Sequence, residues 1–278
     1  MYKILKKRPL HDTVTLMEIE APHVARKAQP GQFIIFRIDE QGERIPLTIA
    51  GYDRQRGSVT IIFQKVGAST RRLDTLNEGD SLLDFAGPLG EPSHFEGVRK
   101  ACVIGGGLGV AIAWPQARAL YEKGAYVDTL AGFRSRDLVI LEEELAAAST
   151  ALTLMTDDGS RGDKGFVTQA LEKKLAAGET YDVVIAIGPL PMMKAVCEVT
   201  RPYNIKTIVS MNPVMIDGTG MCGGCRVTVG GQTRFACVDG PDFDGHLVDF
   251  DEAIRRSRMY QAEEKESAHR CRLTGGVR

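Results

Sequence analysis

Two hydrophobic periods divide the chain of 278 residues. Up to about residue 98, short runs such as Val14–Met17, Gln32–Arg37, Ser58–Gln64 and Ser81–Phe85 are β-branched or alternate between apolar and polar positions, with turn residues between them. Alternation of period two marks strands with one buried face, and short strands at this spacing predict a small antiparallel barrel. Only Ala68–Leu76 carries a helical period there. From about residue 99 the period changes: Ala101–Ile104 is continuously apolar, as in a strand buried on both faces, and Tyr126–Phe133, Ala151–Thr156, Val183–Ile187 and Lys206–Met211 read as further strands. Helical stretches run to Tyr121, within Ser135–Leu145, over Phe166–Ala177 and over Pro191–Val199. Such alternation of β and α predicts a doubly wound parallel sheet. Further on, Arg226–Val229 and Thr233–Phe235 flank Gly230-Gly231, a favourable hairpin turn. The stretch Glu252–Arg272 has mixed charge and a thin apolar stripe (Ile254, Met259, Ala262), as in a helix stabilised by packing on another surface; it is read as a subunit-contact element. The expected fold class is α/β plus all-β: an antiparallel barrel over 1–98, a parallel-sheet domain over 99–210, a short segment over 211–250, and a C-terminal helix and tail over 251–278.

Composition narrows the partners. A formal net charge of -1 offers no basic face to nucleic acid. No apolar run approaches the length of a membrane span, and the first residues lack the apolar core of a signal peptide. Of the six cysteines, Cys222, Cys225 and Cys237 cluster, whereas Cys102, Cys197 and Cys271 stand apart. That pattern suits a reducing cytoplasm better than a disulfide framework, and Cys271 is expected to be a free thiol.

Three places carry chemistry. Gly105-Gly106-Gly107-Leu108-Gly109 lies between a buried strand and a helix. Glycines let the backbone approach a diphosphate and the helix N-terminus faces its charge, so Gly105, Gly107, Leu108 and Gly109 are expected to cradle a dinucleotide. The loops after the following strands lie at the same end of the sheet, where ligands of such folds sit. They hold Arg134-Ser135-Arg136, suited to a ribose or its 2′-phosphate, then Asp157, then Gly188-Pro189 with Met192. In the barrel half, Gly67, Ser69 and Thr70 open a helix whose free N–H groups suit a phosphate. The third place is Asp217-x4-Cys222-x2-Cys225-x11-Cys237. Plant-type [2Fe–2S] proteins space their ligands as Cys-x4-Cys-x2-Cys with a distant fourth, so Asp217 stands where the first cysteine would be. A zinc site with Asp and three Cys, a Cys222–Cys225 disulfide and a redox CxxC are the competing readings. His246 is the other candidate for a fourth ligand; Asp249 and Asp251 read as turn and helix-capping residues.

Arg44-Ile45-Pro46-Leu47-Thr48, Gly67-x-Ser69-Thr70, the linker Gly87-Pro88-Leu89-Gly90 and Gly188-Pro189…Met192 together resemble the ferredoxin–NADP reductase family. The order barrel, dinucleotide domain, cysteine loop resembles its electron-transfer subunits, those of dihydroorotate dehydrogenase and of NADH-dependent, bifurcating ferredoxin–NADP oxidoreductase (the sulfide dehydrogenase-like type). The aspartate in the cysteine loop points to the second. The resemblance implies FAD held by Arg44, Pro46, Leu47, Thr48, Gly67, Ser69 and Thr70, with Arg44 one residue earlier than the family's usual register. It implies NAD(H) or NADP(H) at the glycine turn and a [2Fe–2S] cluster on Asp217, Cys222, Cys225 and Cys237. Electrons then pass between nicotinamide, flavin and cluster. The implied partner is a larger subunit with flavin and [4Fe–4S] clusters, similar to the glutamate synthase small subunit, and ferredoxin is reached through the complex. A zinc-stabilised nucleotide-binding regulatory module is the alternative from a different class.

Overall fold

The computed structural model describes residues 1–260 together with Glu263 and Glu266, so Cys271 and nearly all of the stretch after residue 260 lie outside the described residues. The alternating first part closes on itself. Strands β1 (Tyr2–His11) and β2 (Val14–Glu20) precede helix α1 (Pro22–Lys27); β3 (Phe33–Arg37), β4 (Ile45–Asp53) and β5 (Ser58–Gln64) precede helix α2 (Ala68–Thr75); β6 (Ser81–Leu82) and β7 (Asp84–Leu89) complete the sheet. The order β6-β1-β2-β5-β4-β3-β7 is antiparallel throughout, and its two end strands follow one another in sequence, as in a nearly closed barrel. Its interior is filled by Ile4, Met17, Ile19, Ile34, Phe36, Ile49, Ile61 and Phe63.

The second part contains β8 (Lys100–Gly106), α3 (Gly109–Glu122), β9 (Tyr126–Phe133), α4 (Glu142–Ala147), β10 (Ala151–Thr156), β11 (Asp163–Lys164), α5 (Val167–Ala176), β12 (Val183–Ile187), α6 (Leu190–Thr200) and β13 (Thr207–Ser210). These strands lie in the order β11-β10-β9-β8-β12-β13, all parallel. Both faces of β8 are covered: Ala101 and Val103 pack with α3, while Cys102 and Ile104 face the core shared with α5 and α6. The order reverses direction between β8 and β12, so the crevice above them is the expected ligand position of a doubly wound sheet. Where a helix was expected within Ser135–Leu145, the chain makes a short 3₁₀ turn over Arg136–Leu138 before α4.

The last part is a hairpin, β14 (Arg226–Val229) and β15 (Gln232–Phe235), then β16 (Asp242–Asp244) and α7 (Phe250–Arg256). Strand β16 pairs antiparallel with β13 and so extends the parallel sheet. The sequence reads there as turn residues, because a three-residue strand has no period of its own and exists by virtue of the edge it joins.

A buried polar knot ties β16 to both halves. The Asp242 carboxylate accepts from Ser93 Oγ at 2.6 Å, in the linker, and from Gln116 Nε2 at 3.3 Å, on α3. Nearby, Glu91 N donates to Gly240 O at 2.7 Å and Gln32 Nε2 to Gly90 O at 2.8 Å. Burial pushes the Asp242 carboxyl above its usual value of 3.8, against the opposing hydrogen bonds from Ser93, Ser210 and Gln116. A raised folded-state value means the stabilising contribution is complete below 3.8 and is lost as pH rises through the folded value. In urea titrations between pH 4 and pH 8, Asp242→Asn is therefore expected to gain stability relative to the unaltered protein as pH rises; a constant difference would show that Asp242 does not titrate across folding.

Candidate functional site

Barrel and sheet meet along a cleft of about 1400 Å³. Small-molecule sites usually measure about 300–1,000 Å³, so this one has room for two ligands side by side. One wall is barrel: Phe33 on β3 and Pro46, Leu47 and Thr48 on β4. The floor is the carboxyl end of the sheet, with Gly107, Leu108 and Gly109 after β8, Arg134 after β9, Asp157 after β10 and Gly188, Pro189 and Met192 after β12. The third wall is the segment Met211–Ile216 with Gly224, Arg226 and Arg256.

Gly107 has φ +55 and open space where a Cβ would stand, so the backbone itself forms that part of the floor. Gly105 lies outside the lining; its Cα is packed against Val110, and a side chain there would clash with the first turn of α3. Arg134 and Arg136 are exposed, with no hydrogen-bond or ion-pair partner among the described residues for either guanidinium; Ser135 does not line the cleft. The backbone N–H of Arg136 donates to Ser160 Oγ at 2.8 Å, which in turn donates to Asp158.

Gly67, Ser69 and Thr70 lie off this cleft, at the start of α2. There Thr70 is occupied with capping: its hydroxyl accepts from Val66 N at 3.1 Å and Gly67 N at 3.2 Å. Ser69 donates to the Glu43 carboxylate, placing an anion beside the helix start. Arg44 does not reach this helix. Its Nε donates to Ile216 O at 2.9 Å and its Nη2 to Asp217 O at 3.4 Å. Ile45, the first residue of β4, stands at the register where the resembling family has its arginine and is partly buried against the barrel core. Arg44 itself precedes the strand and meets the cysteine loop.

That loop is pressed onto the barrel. Gly218 has φ +77, and a Cβ there would come within 2.7 Å of Ile35 and 2.8 Å of Leu89, so only glycine permits the approach. Cys225 Sγ lies 3.2 Å from Cys237 Sγ, and both residues are buried. Cys222 is exposed, and its Sγ accepts from Gly224 N at 3.5 Å. The Asp217 carboxylate accepts from Thr219 N at 2.8 Å and from Cys222 N at 2.7 Å; these backbone donors hold it below its usual range. The donors thus fall into two pairs, Cys225 with Cys237 and Asp217 with Cys222. A [2Fe–2S] cluster takes four protein ligands, two at each iron, and this donor set fits it. Among the described residues no three His, Cys, Asp or Glu side chains gather to hold a single metal ion, and no disulfide links Cys222 to Cys225. The alternative ligand His246 faces elsewhere, with Nε2 2.9 Å from Thr200 Oγ1. Asp249 caps α7 by accepting from Glu252 N, whereas Asp251 pairs with Lys194 rather than capping.

Two arginines that carried no expectation also meet this loop: Arg226 Nη1 donates to Gly223 O at 3.1 Å and Arg256 Nη2 to Gly224 O at 3.3 Å. Adjacency to Cys225 was the available signal for Arg226. For Arg256, 31 positions beyond Cys225 in sequence, there was none.

The chain is similar to known proteins over most of its length. The model of the iron–sulfur cluster binding domain of dihydroorotate dehydrogenase B matches residues 212–249. The dihydroorotate dehydrogenase B (NAD(+)) electron transfer subunit homolog of Thermotoga maritima is 44% identical, over 99% of this chain and 96% of its own. The corresponding electron transfer subunit of Bacillus caldolyticus is 34% identical, over 79% of this chain and 86% of its own. A solved structure, described as giving insights into flavin-based electron bifurcation via the NADH-dependent reduced ferredoxin-NADP oxidoreductase, superposes with a TM-score of 0.92 at 42% identity, covering 97% of each chain.

The thiols differ in accessibility and proton affinity. Burial, reinforced by the hydrogen bond from Cys225, pushes the Cys237 thiol up to about 12. In protein stripped of metal, iodoacetamide is expected to alkylate Cys222 about tenfold or more faster than Cys225 and Cys237, read by peptide mass spectrometry, because the exposed thiol reacts first; equal rates would show that the pair is not enclosed.

Proposed function

The chain belongs to the family of dihydroorotate dehydrogenase B electron-transfer subunits and their homologues, and on that premise we propose that it carries electrons between a nicotinamide dinucleotide, FAD and a [2Fe–2S] cluster within a larger, electron-bifurcating ferredoxin:NAD(P) oxidoreductase complex. The carrying observation is that one cleft is walled by the β4 strand, the glycine turn and the cysteine-loop segment together. When bound, FAD and the cluster supply the conversion of a two-electron hydride step into single-electron steps. The protein's own residues supply position and electrostatics. Pro46, Leu47 and Thr48 present an apolar wall with one hydroxyl to a flavin ring, and Gly67 and Ser69 at the α2 start suit its phosphates, which would take the place of the Glu43 carboxylate that Ser69 bonds. Gly107, Leu108 and Gly109 bring backbone close to a dinucleotide diphosphate, with Gly188, Pro189 and Met192 opposite and Asp157 at the rim. Arg134 and Arg136, both without partners, take the ribose end of NAD(H) or NADP(H), with Ser135 between them. Asp217, Cys222, Cys225 and Cys237 hold the cluster.

The relatives named above are electron-transfer subunits, which implies a partner subunit. We assign that partner as a larger subunit with flavin and [4Fe–4S] clusters, similar to the glutamate synthase small subunit, with ferredoxin reached through it. No described helix is long and apolar enough to cross a membrane. We place the complex in the cytoplasm, the compartment suited by a sequence whose cysteines form one cluster rather than a disulfide framework.

A visible spectrum with a flavin band at about 450 nm and a broad cluster shoulder, with iron and acid-labile sulfide in equal amounts, is the expected result for purified protein. A colourless protein holding stoichiometric zinc would instead establish a regulatory module. Asp217→Cys is expected to keep the cluster and move its midpoint potential; an unmoved potential would remove Asp217 from the ligand set. Gly107→Ala imposes about 1–2 kcal/mol of left-handed strain, which the turn relieves by shifting. The KM for the nicotinamide is expected to rise roughly tenfold, with flavin content unchanged.

A further inference from the structure

Three guanidiniums from three parts of the chain converge on the cysteine loop, and each takes a main-chain carbonyl. Arg44, just before β4, holds Ile216 O and Asp217 O. Arg226, at the start of β14, holds Gly223 O. Arg256, at the end of α7, holds Gly224 O. A peptide whose carbonyl is held on one side presents its N–H to the other. For Gly223–Gly224 both ends are visible: Arg226 donates to the carbonyl at 3.1 Å, while the N–H of the same peptide donates to Cys222 Sγ at 3.5 Å. A cation on the carbonyl polarises the peptide and strengthens that N–H as a donor to sulfur.

We infer that Arg44, Arg226 and Arg256 form a clamp on the cluster loop that turns its carbonyls outward, aims its N–H groups at the ligand sulfurs and raises the reduction potential of the cluster. The inference rests on the proposed cluster between Asp217 and Cys237. Its sign follows from charge. Reduction adds an electron, and positive charge or hydrogen bonds near the sulfurs stabilise the reduced form, so the clamp raises the potential and its removal lowers it. Residues supporting metal ligands in this indirect way typically contribute 10–100-fold in metal retention. These are positioning residues: none of the three is a ligand. Arg44 thereby acquires a role different from flavin phosphate binding.

The test uses the full-length holoprotein with Arg44→Gln, Arg226→Gln and Arg256→Gln, singly and together, and the matching Lys variants. Midpoint potentials are read by EPR-monitored redox titration, iron loss by chelator challenge, and FAD content and nicotinamide KM alongside. The Gln variants are expected to show a lowered midpoint, and the triple variant to lose iron about tenfold faster, with FAD content at the unaltered level. Lys, which keeps the charge but not the fork, is expected to recover most of the midpoint. If the triple Gln variant does not fold, the single variants carry the same comparison. Unmoved midpoints and iron-loss rates, with FAD lost from Arg44→Gln or KM raised in the Arg226 and Arg256 variants, would overturn the clamp and assign the arginines to the ligands of the cleft. Absence of a [2Fe–2S] signal in the unaltered protein would overturn the proposed function itself, a result distinct from failure of the clamp.

Discussion

The register of a four-residue hairpin governs the cysteine site. Strand β14 pairs with β15 so that Arg226 lies opposite Phe235, and Ala236 N donates to Cys225 O at 3.1 Å. That pairing carries Cys237 back beside Cys225 although eleven residues separate them in sequence. Gly230 and Gly231, with φ +58 and +74, form the turn that fixes it. A slip of one residue would turn every side chain of one strand to the opposite face. The two sulfurs would then lose their common pocket, and Arg226 would leave Gly223. One backbone constraint therefore sets both the cysteine pair and part of its electrostatic surroundings.

The hairpin cannot act alone, because two short strands have little stability in water. It is held by what surrounds it. Cys225, Val227, Ala236 and Cys237 share a core with Phe33 and Ile35 of the barrel and with Met193, Val196 and Cys197 of α6. Gly218 allows the preceding loop to rest directly on Ile35 and Leu89. Beyond the hairpin, β16 pairs with β13, and the Asp242 knot joins that edge to the linker and α3. The cysteine loop is thus fixed against the barrel on one side and the parallel sheet on the other, and the cleft between them gains its third wall. An electron-transfer site requires this rigidity, since orientation and distance are the protein's contribution.

Much of this was legible in the sequence, for identifiable reasons. Strand β12 matches a continuous apolar run, because burial on both faces leaves no polar position to blur the boundary, and β9 and β10 were legible although Asp128 and Thr153 lie within them. The glycine turn was legible because its strand and helix flank it. Strand β1 was missed. Lys3, Lys6, Lys7, Arg8 and Pro9 lie within it, near the rim of the barrel where one face meets water, and its membership depends on pairing with Met17 and its neighbours in β2. Strand β16 was missed for a related reason, since its pairing partner lies more than thirty residues earlier, in β13.

Arg44 shows how a family motif and a local rule can diverge. By type and approximate position it resembles a flavin-phosphate arginine, but it stands just before β4 and its guanidinium bonds the cysteine loop. Position 45 holds isoleucine, partly buried against the barrel core, and the arginine one residue earlier reaches Ile216 O. The loop it meets is the one in which aspartate replaces a cysteine, and its guanidinium bonds the carbonyl of that same Asp217. As the proposed fourth ligand, a carboxylate would be harder than a thiolate and would accept hydrogen bonds more strongly, so its surroundings would weigh more on the cluster. Arg44 and Asp217 thus form one local arrangement, joined by the bond from the guanidinium to the aspartate's own carbonyl.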